Sequence, residues 1–295
     1  MSEWPTTRPE RMNHAVAERC GREDALSSGA MAIDWKGWKH YFCNVNGELA
    51  SILLDLELRN EAPIESKPWL LWVWVHFQSP RPDGLSSSDE APMLYEIEDA
   101  LYAQVSRTCD ALPCGRITTE GRREFYFYGK TDTGFREAAK TALSAFEKYR
   151  FDFGTKRDPS WEQYLSVLYP SPQSLQRIAN ADLLNVFAKR GDVHSVPREV
   201  RHWLFFRSNE DRSSFREAAS AAGFKIEDEA TTERALPFAI TLTRVQPIDQ
   251  ASIDETVLSL LERCQRLGGE YDGWEAPVTQ GNLRSHGPNR PDSGE

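Results

Sequence analysis

The side chains that most often carry catalysis or bind metal ions are scattered along this sequence. The six histidines (His14, His40, His76, His194, His202 and His286) never form the His-Glu-x-x-His spacing of a zinc site. The chain also lacks a phosphate-binding glycine loop ending in Lys-Ser/Thr, a Gly-x-Ser-x-Gly nucleophile motif and the protein-kinase motifs. We therefore predict no catalytic residue, no metal site and no cofactor, and we expect the strand histidines His76 and His202 to be packed or at a strand edge.

The cysteines follow no disulfide framework. Cys20, Cys43, Cys109, Cys114 and Cys264 form an odd set without a regular spacing. Cys109 and Cys114 could pair or bind a metal, but no second ligand pair with zinc spacing follows them. We predict free thiols in a reducing compartment.

A run near the C-terminus combines glycine, aromatic and acidic residues: Gly268-Gly269-Glu270-Tyr271-Asp272-Gly273-Trp274. The first two glycines permit the left-handed turn that ends a helix. Tyr271 and Trp274 are large rings, and each offers one polar tip. One interpretation is a helix stop followed by a well-packed edge strand. The other is a binding surface that includes Glu270, Tyr271, Asp272 and Trp274.

The first patterned region predicts one domain. After a hairpin signal at Asn46-Gly47, its elements are a strand (69–77), a helix (94–105), two strands (116–120 and 124–128), a helix (135–149) and a strand (150–154). The strand at 69–77 is apolar on both faces, which predicts cover on both sides. The order is that of a split βαβ, or ferredoxin-like, fold with an added N-terminal β-hairpin.

The second patterned region repeats this order. Its elements are a leading helix (175–187), a strand (201–207), a helix (215–222), two strands (224–230 and 238–245), a helix (253–267) and a strand (270–278). We predict an α+β protein with two ferredoxin-like (βαββαβ) domains, at 31–170 and 171–280. Residues 1–30 and 281–295 are predicted to be disordered tails, and Met31 is an alternative start.

The charge balance excludes several classes of function. The 295 residues carry a formal net charge of −10, with 35 Lys and Arg against 45 Asp and Glu. This excess of acid disfavours a general binder of the phosphate backbone. No apolar run reaches the ~20 residues that span a bilayer, and residues 1–30 lack a signal-peptide core. We expect a cytoplasmic protein that binds no membrane and meets other proteins.

Aromatic side chains on two predicted strands offer a competing interpretation. Trp72, Trp74 and residues 125–128 could stack RNA bases on a sheet face. Residues 122–125 lack the glycines of that motif, however, and the protein is acidic. We expect these rings to be buried and no direct contact with nucleic acid, and RNA binding stays the less favoured alternative.

The glycine-aromatic run resembles the C-terminal signature of the RraB family, bacterial protein regulators of the endonuclease RNase E, and the resemblance covers about residues 180–280. The Trp-rich strand at 69–77 and the run Arg123 to Tyr128 resemble the bacterial domain of unknown function 695, over about residues 38–168. That family precedes RraB-like domains, as here. RraB proteins are small, acidic, non-catalytic inhibitors with a ferredoxin-like fold. Residues 181–280 carry 12 basic and 17 acidic side chains, a milder excess of acid than that family has.

The resemblance implies a non-enzymatic, protein-binding inhibitor of an RNase E-type endoribonuclease. The predicted protein-binding residues are Glu270, Tyr271, Asp272 and Trp274, together with the acidic cluster Glu227, Asp228 and Glu229. The alternative is a small-ligand-binding protein or an enzyme that uses a cleft between the domains. The sequence leaves open the partner's identity, the role of the first domain and the oligomeric state.

Overall fold

The computed structural model describes residues 35–45 and 47–280, so the predicted tails and Asn46 lie outside the described residues. The chain divides into two compact units between Ser174 and Leu175. Each unit combines helices with one antiparallel sheet. The prediction of a mixed α+β protein is therefore confirmed.

The first unit contains a six-stranded sheet. Its elements are β1 (Trp38–Val45), β2 (Glu48–Asp55), β3 (Trp69–His76), α1 (Ala91–Cys109), β4 (Ala111–Thr119), β5 (Arg122–Gly129), α2 (Phe135–Leu143) and β6 (Phe151–Arg157). The strand order is β1-β2-β4-β5-β3-β6, and each neighbouring pair is antiparallel. The predicted hairpin is β1-β2, and it lies at one edge of the sheet. Gly47 in its turn has φ +93°, a conformation that glycine adopts without strain.

Side chains pack on both faces of this sheet, but Trp72 and Trp74 are only half-buried, so the expectation that all the strand aromatics are buried is wrong for these two rings. Alternate residues of β3, such as Leu71 and Val73, pack with the apolar sides of α1 and α2. On the opposite face, the indole of Trp161 stacks on Tyr128 with ring centroids 4.0 Å apart. Trp161 is fully buried, and it precedes a short π-helical segment, Gln163–Leu168.

The second unit contains a four-stranded sheet. Its elements are α3 (Pro172–Lys189), β7 (Arg198–Phe206), α4 (Asn209–Ala221), β8 (Lys225–Thr231), β9 (Phe238–Gln246), α5 (Gln250–Arg266) and β10 (Glu270–Glu275). The strand order is β10-β7-β9-β8, with antiparallel neighbours. Ser208 and Asp249 cap α4 and α5 by accepting backbone N–H groups of their first turns. Gly268, with φ +62°, lies in the turn that ends α5.

The core of the second unit lies on one face of this sheet. Val200, Leu204 and Phe206 of β7 point to that face and pack with side chains of α3, α4 and α5. The intervening residues of β7, including Trp203 and Phe205, point the other way. Within residues 175–280, no helix packs on this second face.

Candidate protein-binding surface

A β-bulge sets the direction of every side chain in the C-terminal signature. Tyr271 pairs with Leu204, and Gly273 pairs with Trp203, so Asp272 is the extra residue. Three residues apart on a regular strand, Tyr271 and Trp274 would point to opposite faces. The bulge turns both rings into the core, where they are 8% and 7% exposed. Gly273 has φ +146°, a conformation that favours glycine.

Tyr271 is anchored to a buried histidine of β7. Its hydroxyl lies 2.9 Å from Nδ1 of His202, whose side chain is fully buried. Burial, and then the nearby charge of Arg244, lowers the pKa of His202 to about 3. Burial also raises the pKa of Tyr271 well above its ordinary value. A neutral imidazole and a neutral phenol therefore face each other, as expected for a packed pair.

Trp274 is anchored to a buried polar network. Its indole N–H donates to Oδ1 of Asn180 over 3.0 Å, and Nδ2 of Asn180 donates to Oδ1 of Asp254 over 2.8 Å. The other carboxylate oxygen of Asp254 accepts a hydrogen bond from Nε2 of Gln250 over 2.8 Å. The ring of Phe187 is parallel to the indole, 5.9 Å away. Trp274 thus holds β10 against α3, whereas Tyr271 ties β10 to the neighbouring strand β7.

The opposite side of the sheet presents charged and aromatic side chains. We define the open sheet face by the charged and aromatic residues whose side chains lie on this side: Glu199, Arg201, Trp203, Phe205, Lys225, Glu227, Asp228, Arg234, Glu270, Asp272 and Glu275. A shallow depression of about 380 Å³ lies at its edge, next to Glu199, Arg201 and Glu275.

Arg201 ties three strands together across the open sheet face. Its Nε and Nη2 donate to the two carboxylate oxygens of Glu227 over 2.5 and 2.6 Å, and its Nη1 donates to Glu275 over 2.8 Å. The hydrogen bonds that Arg201 donates to Glu227, and then to Glu275, raise the pKa of Arg201. The same contact lowers the pKa of Glu227. The guanidinium thus fixes acidic side chains of β8 and β10 in place.

A second arginine covers an aromatic ring of this face. The guanidinium carbon of Arg234 lies 4.2 Å from the centroid of the Phe205 ring, within the range of a cation–π contact. Its Nη1 also lies 3.3 Å from Oδ2 of Asp272, the bulge residue. The face therefore already holds one cation between an aromatic ring and a carboxylate.

The predicted site residues divide between the two sides of the sheet. Glu270, Asp272, Glu227 and Asp228 lie on the open sheet face, whereas Tyr271 and Trp274 lie in the core. The last predicted residue, Glu229, pairs with Arg212 and Arg216 of α4 over 3.5 and 3.4 Å, and so faces the helices.

Arg201, Trp203, Phe205 and Glu275 were missed by the sequence interpretation. The alternating run Arg201, Trp203, Phe205 carries the signal, because residues two apart share one face of a strand.

The described residues offer few other groups for catalysis or metal binding. In residues 35–45 and 47–280, no group of three or more His, Cys, Asp and Glu side chains is placed to hold a metal ion. Cys109 and Cys114 are free thiols, and both are buried. A cleft of about 890 Å³ in the first unit is lined by Glu90, but that carboxylate already accepts the backbone N–H of Gln78 over 2.8 Å. None of the described helices is long and apolar enough to cross a membrane.

Two family models match separate parts of the chain. Residues 36–169 match the model of a family of unknown function, DUF695, and residues 177–276 match the model of the family described as "Regulator of ribonuclease activity B", RraB. Both predicted resemblances, and their order, are therefore confirmed. No curated protein matches the chain.

One matching solved structure is only distantly similar to this chain. A crystal structure of an unknown protein from Galdieria sulphuraria is 11% identical over 72% of this chain and 99% of that chain, with a TM-score of 0.20. A likeness at that level carries no argument.

Proposed function

We propose that this chain is a non-enzymatic regulator that binds an RNase E-type endoribonuclease through its second unit and lowers the nuclease's activity. The observation that carries the proposal is the match of residues 177–276 to the family described as a regulator of ribonuclease activity. The open sheet face supports a protein-binding role, because it combines the half-buried indole of Trp203 with ordered charged side chains. We place this activity in the cytoplasm of a bacterium.

Each unit is proposed to be a ferredoxin-like domain, with the domain division at 31–170 and 171–280. The strand order β10-β7-β9-β8 supports this assignment, because it matches the order 4-1-3-2 of a βαββαβ unit. The run β6-β3-β5-β4 has the same order in the first unit, and the β1-β2 hairpin continues that sheet.

The proposed contact residues are the exposed acidic members of the predicted site: Glu227, Asp228, Glu270 and Asp272. Tyr271 and Trp274 contribute indirectly, since their burial fixes the bulge that presents Asp272. Glu229 contributes by holding β8 to α4.

The test is inhibition of the nuclease in a purified system. The full chain is titrated into an RNase E-type endoribonuclease cleaving a labelled RNA, and we expect the cleavage rate to fall to a saturating minimum. An unrelated acidic protein of similar net charge is the control. A rate that does not change, together with no co-purification of the two proteins, would reject the proposed function. A metabolite found in the purified chain by native mass spectrometry would then favour the small-ligand alternative.

A further inference from the structure

The edges of the second sheet are poor sites for adding a partner strand. β8 and β10 are the edge strands, and each carries a bulge, between Ile226 and Asp228 and between Tyr271 and Gly273. Bulges and charged side chains on an edge block regular pairing with another chain. The accessible feature of this sheet is therefore its open face.

This face carries an excess of negative charge. Of its charged residues, six are acidic and three are basic. Arg201 is paired with Glu227 and Glu275, and Arg234 with Asp272. Among the described residues, Glu199, Asp228 and Glu270 have no ion-pair partner, and all three are exposed. A partner that supplies cations would satisfy them, whereas a phosphate backbone would be repelled.

An indole lies in the middle of these charges. Trp203 is half-buried on β7, between Arg201 and Phe205 on the same face. Phe205 is already covered by the guanidinium of Arg234 at 4.2 Å. Trp203 is the better cation–π acceptor of the two ring types, and no such cation is found over it among the described residues.

The size of the face favours a segment over a folded domain. The longest strands have nine residues, and four strands at the usual spacings give an area on the order of 600 Å². A standard protein–protein interface takes about 800 Å² from each partner. An extended segment a few residues wide fits the smaller area.

We infer that the open sheet face binds a cationic segment of a partner protein, with one arginine or lysine side chain over the indole of Trp203 and others against Asp228 and Glu270. This inference rests on the proposed function, since it names the partner chemistry that the second unit recognises.

The test uses the full chain and two fluorescein-labelled peptides, one of alternating arginine and serine and one with glutamate in place of arginine. Binding is measured by fluorescence anisotropy at low and high salt. We expect binding of the arginine peptide only. The variant Asp228→Lys with Glu270→Lys should weaken it by about tenfold, equal to about 1.4 kcal/mol.

The matched control, Glu217→Lys with Glu255→Lys, makes the same charge change at exposed positions of α4 and α5. It should weaken binding by less than about twofold.

A third variant tests the indole. Trp203→Leu should weaken binding of the arginine peptide by about fivefold, and Trp203→Phe by less, at both salt concentrations. Circular dichroism and melting of each variant confirm that it is folded. Three results would each overturn the inference. The first is an equal loss of binding in the two double lysine variants, and the second is unchanged binding by Trp203→Leu. The third is tighter binding of a labelled single-stranded RNA than of the arginine peptide.

The same variants separate this inference from the proposed function. If the wild-type chain inhibits the nuclease and the Asp228/Glu270 double inhibits equally well, the face is not the docking site and the regulator function stands. If the wild-type chain binds the arginine peptide on this face but leaves the nuclease unaffected, the docking site stands and the RNase E-type partner is wrong.

Discussion

The buried amide of Asn180 should contribute more to the stability of the second unit than any exposed polar residue of the same helix. Asn180 is fully buried. It accepts the indole N–H of Trp274 over 3.0 Å and donates to Asp254 over 2.8 Å. Asn180→Leu keeps a similar volume and removes one hydrogen bond from the Trp274 indole and one from Oδ1 of Asp254, while Oδ2 of Asp254 keeps its contacts with Gln250 and Arg177. Each loss costs about 1–3 kcal/mol, so we expect a total of about 2–6 kcal/mol.

The assay must report on the second unit alone, because two units need not unfold together. Hydrogen–deuterium exchange of α5 peptides under native conditions gives its opening free energy. Asn185→Leu is the matched control, since Asn185 is exposed on the same helix, and a change within about 0.5 kcal/mol is expected. In a Trp274→Phe background, Asn180→Leu should cost about 1–2 kcal/mol less. A loss below about 1 kcal/mol for Asn180→Leu would refute the assigned network.

Three further predictions concern His202, Gly154 and Asp192. The pKa of His202 is lowered to about 3 in the folded protein, so its contribution to the free energy of unfolding is complete above pH 6.5 and decreases toward pH 3. Hydrogen exchange of α5 peptides should show that the opening free energy falls by about 2 kcal/mol between pH 7 and pH 5. This loss should be absent in His202→Phe. Gly154→Ala places a Cβ against the indole of Trp72 and should destabilise the first unit by roughly 1–3 kcal/mol. A calorimetric melt should show that adding Trp72→Leu restores part of the lost stability. Asp192→Ala leaves the buried Arg198 without its carboxylate, 2.5 Å away, and should destabilise the second unit by roughly 3–5 kcal/mol. If limited proteolysis cleaves the variant no faster than the wild-type chain, this prediction is wrong.

Sequence patterns predicted most helices and strands of both units, because the side chains that each of them buries recur at its structural period. The apolar stripe on α5 and the alternation in β7 follow directly from the faces that they bury. The strand at 69–77 was recognisable for the same reason, since side chains pack on both faces of its sheet.

The site was less predictable because it depends on a local irregularity and on contacts across strands. A period-two reading places Tyr271 and Trp274 on opposite faces, and only the bulge at Asp272 brings both into the core. Nothing in the sequence links Arg201 to Glu227, which is on a strand two positions away in the sheet.

The rings of Tyr271 and Trp274 point into the core, so we expect these two residues of the C-terminal run to have a structural role and not to contact a partner. Tyr271, Gly273 and Trp274 form the bulge and its anchors, so their presence specifies how β10 packs. The positions between and beside them, Glu270, Asp272 and Glu275, face outward and are free to vary without disturbing the core. Partner choice is therefore expected to be encoded at these outward positions, together with Trp203 on the neighbouring strand. Exchanging the outward acidic residues should change which segment binds, whereas exchanging the inward rings should change only whether the unit folds.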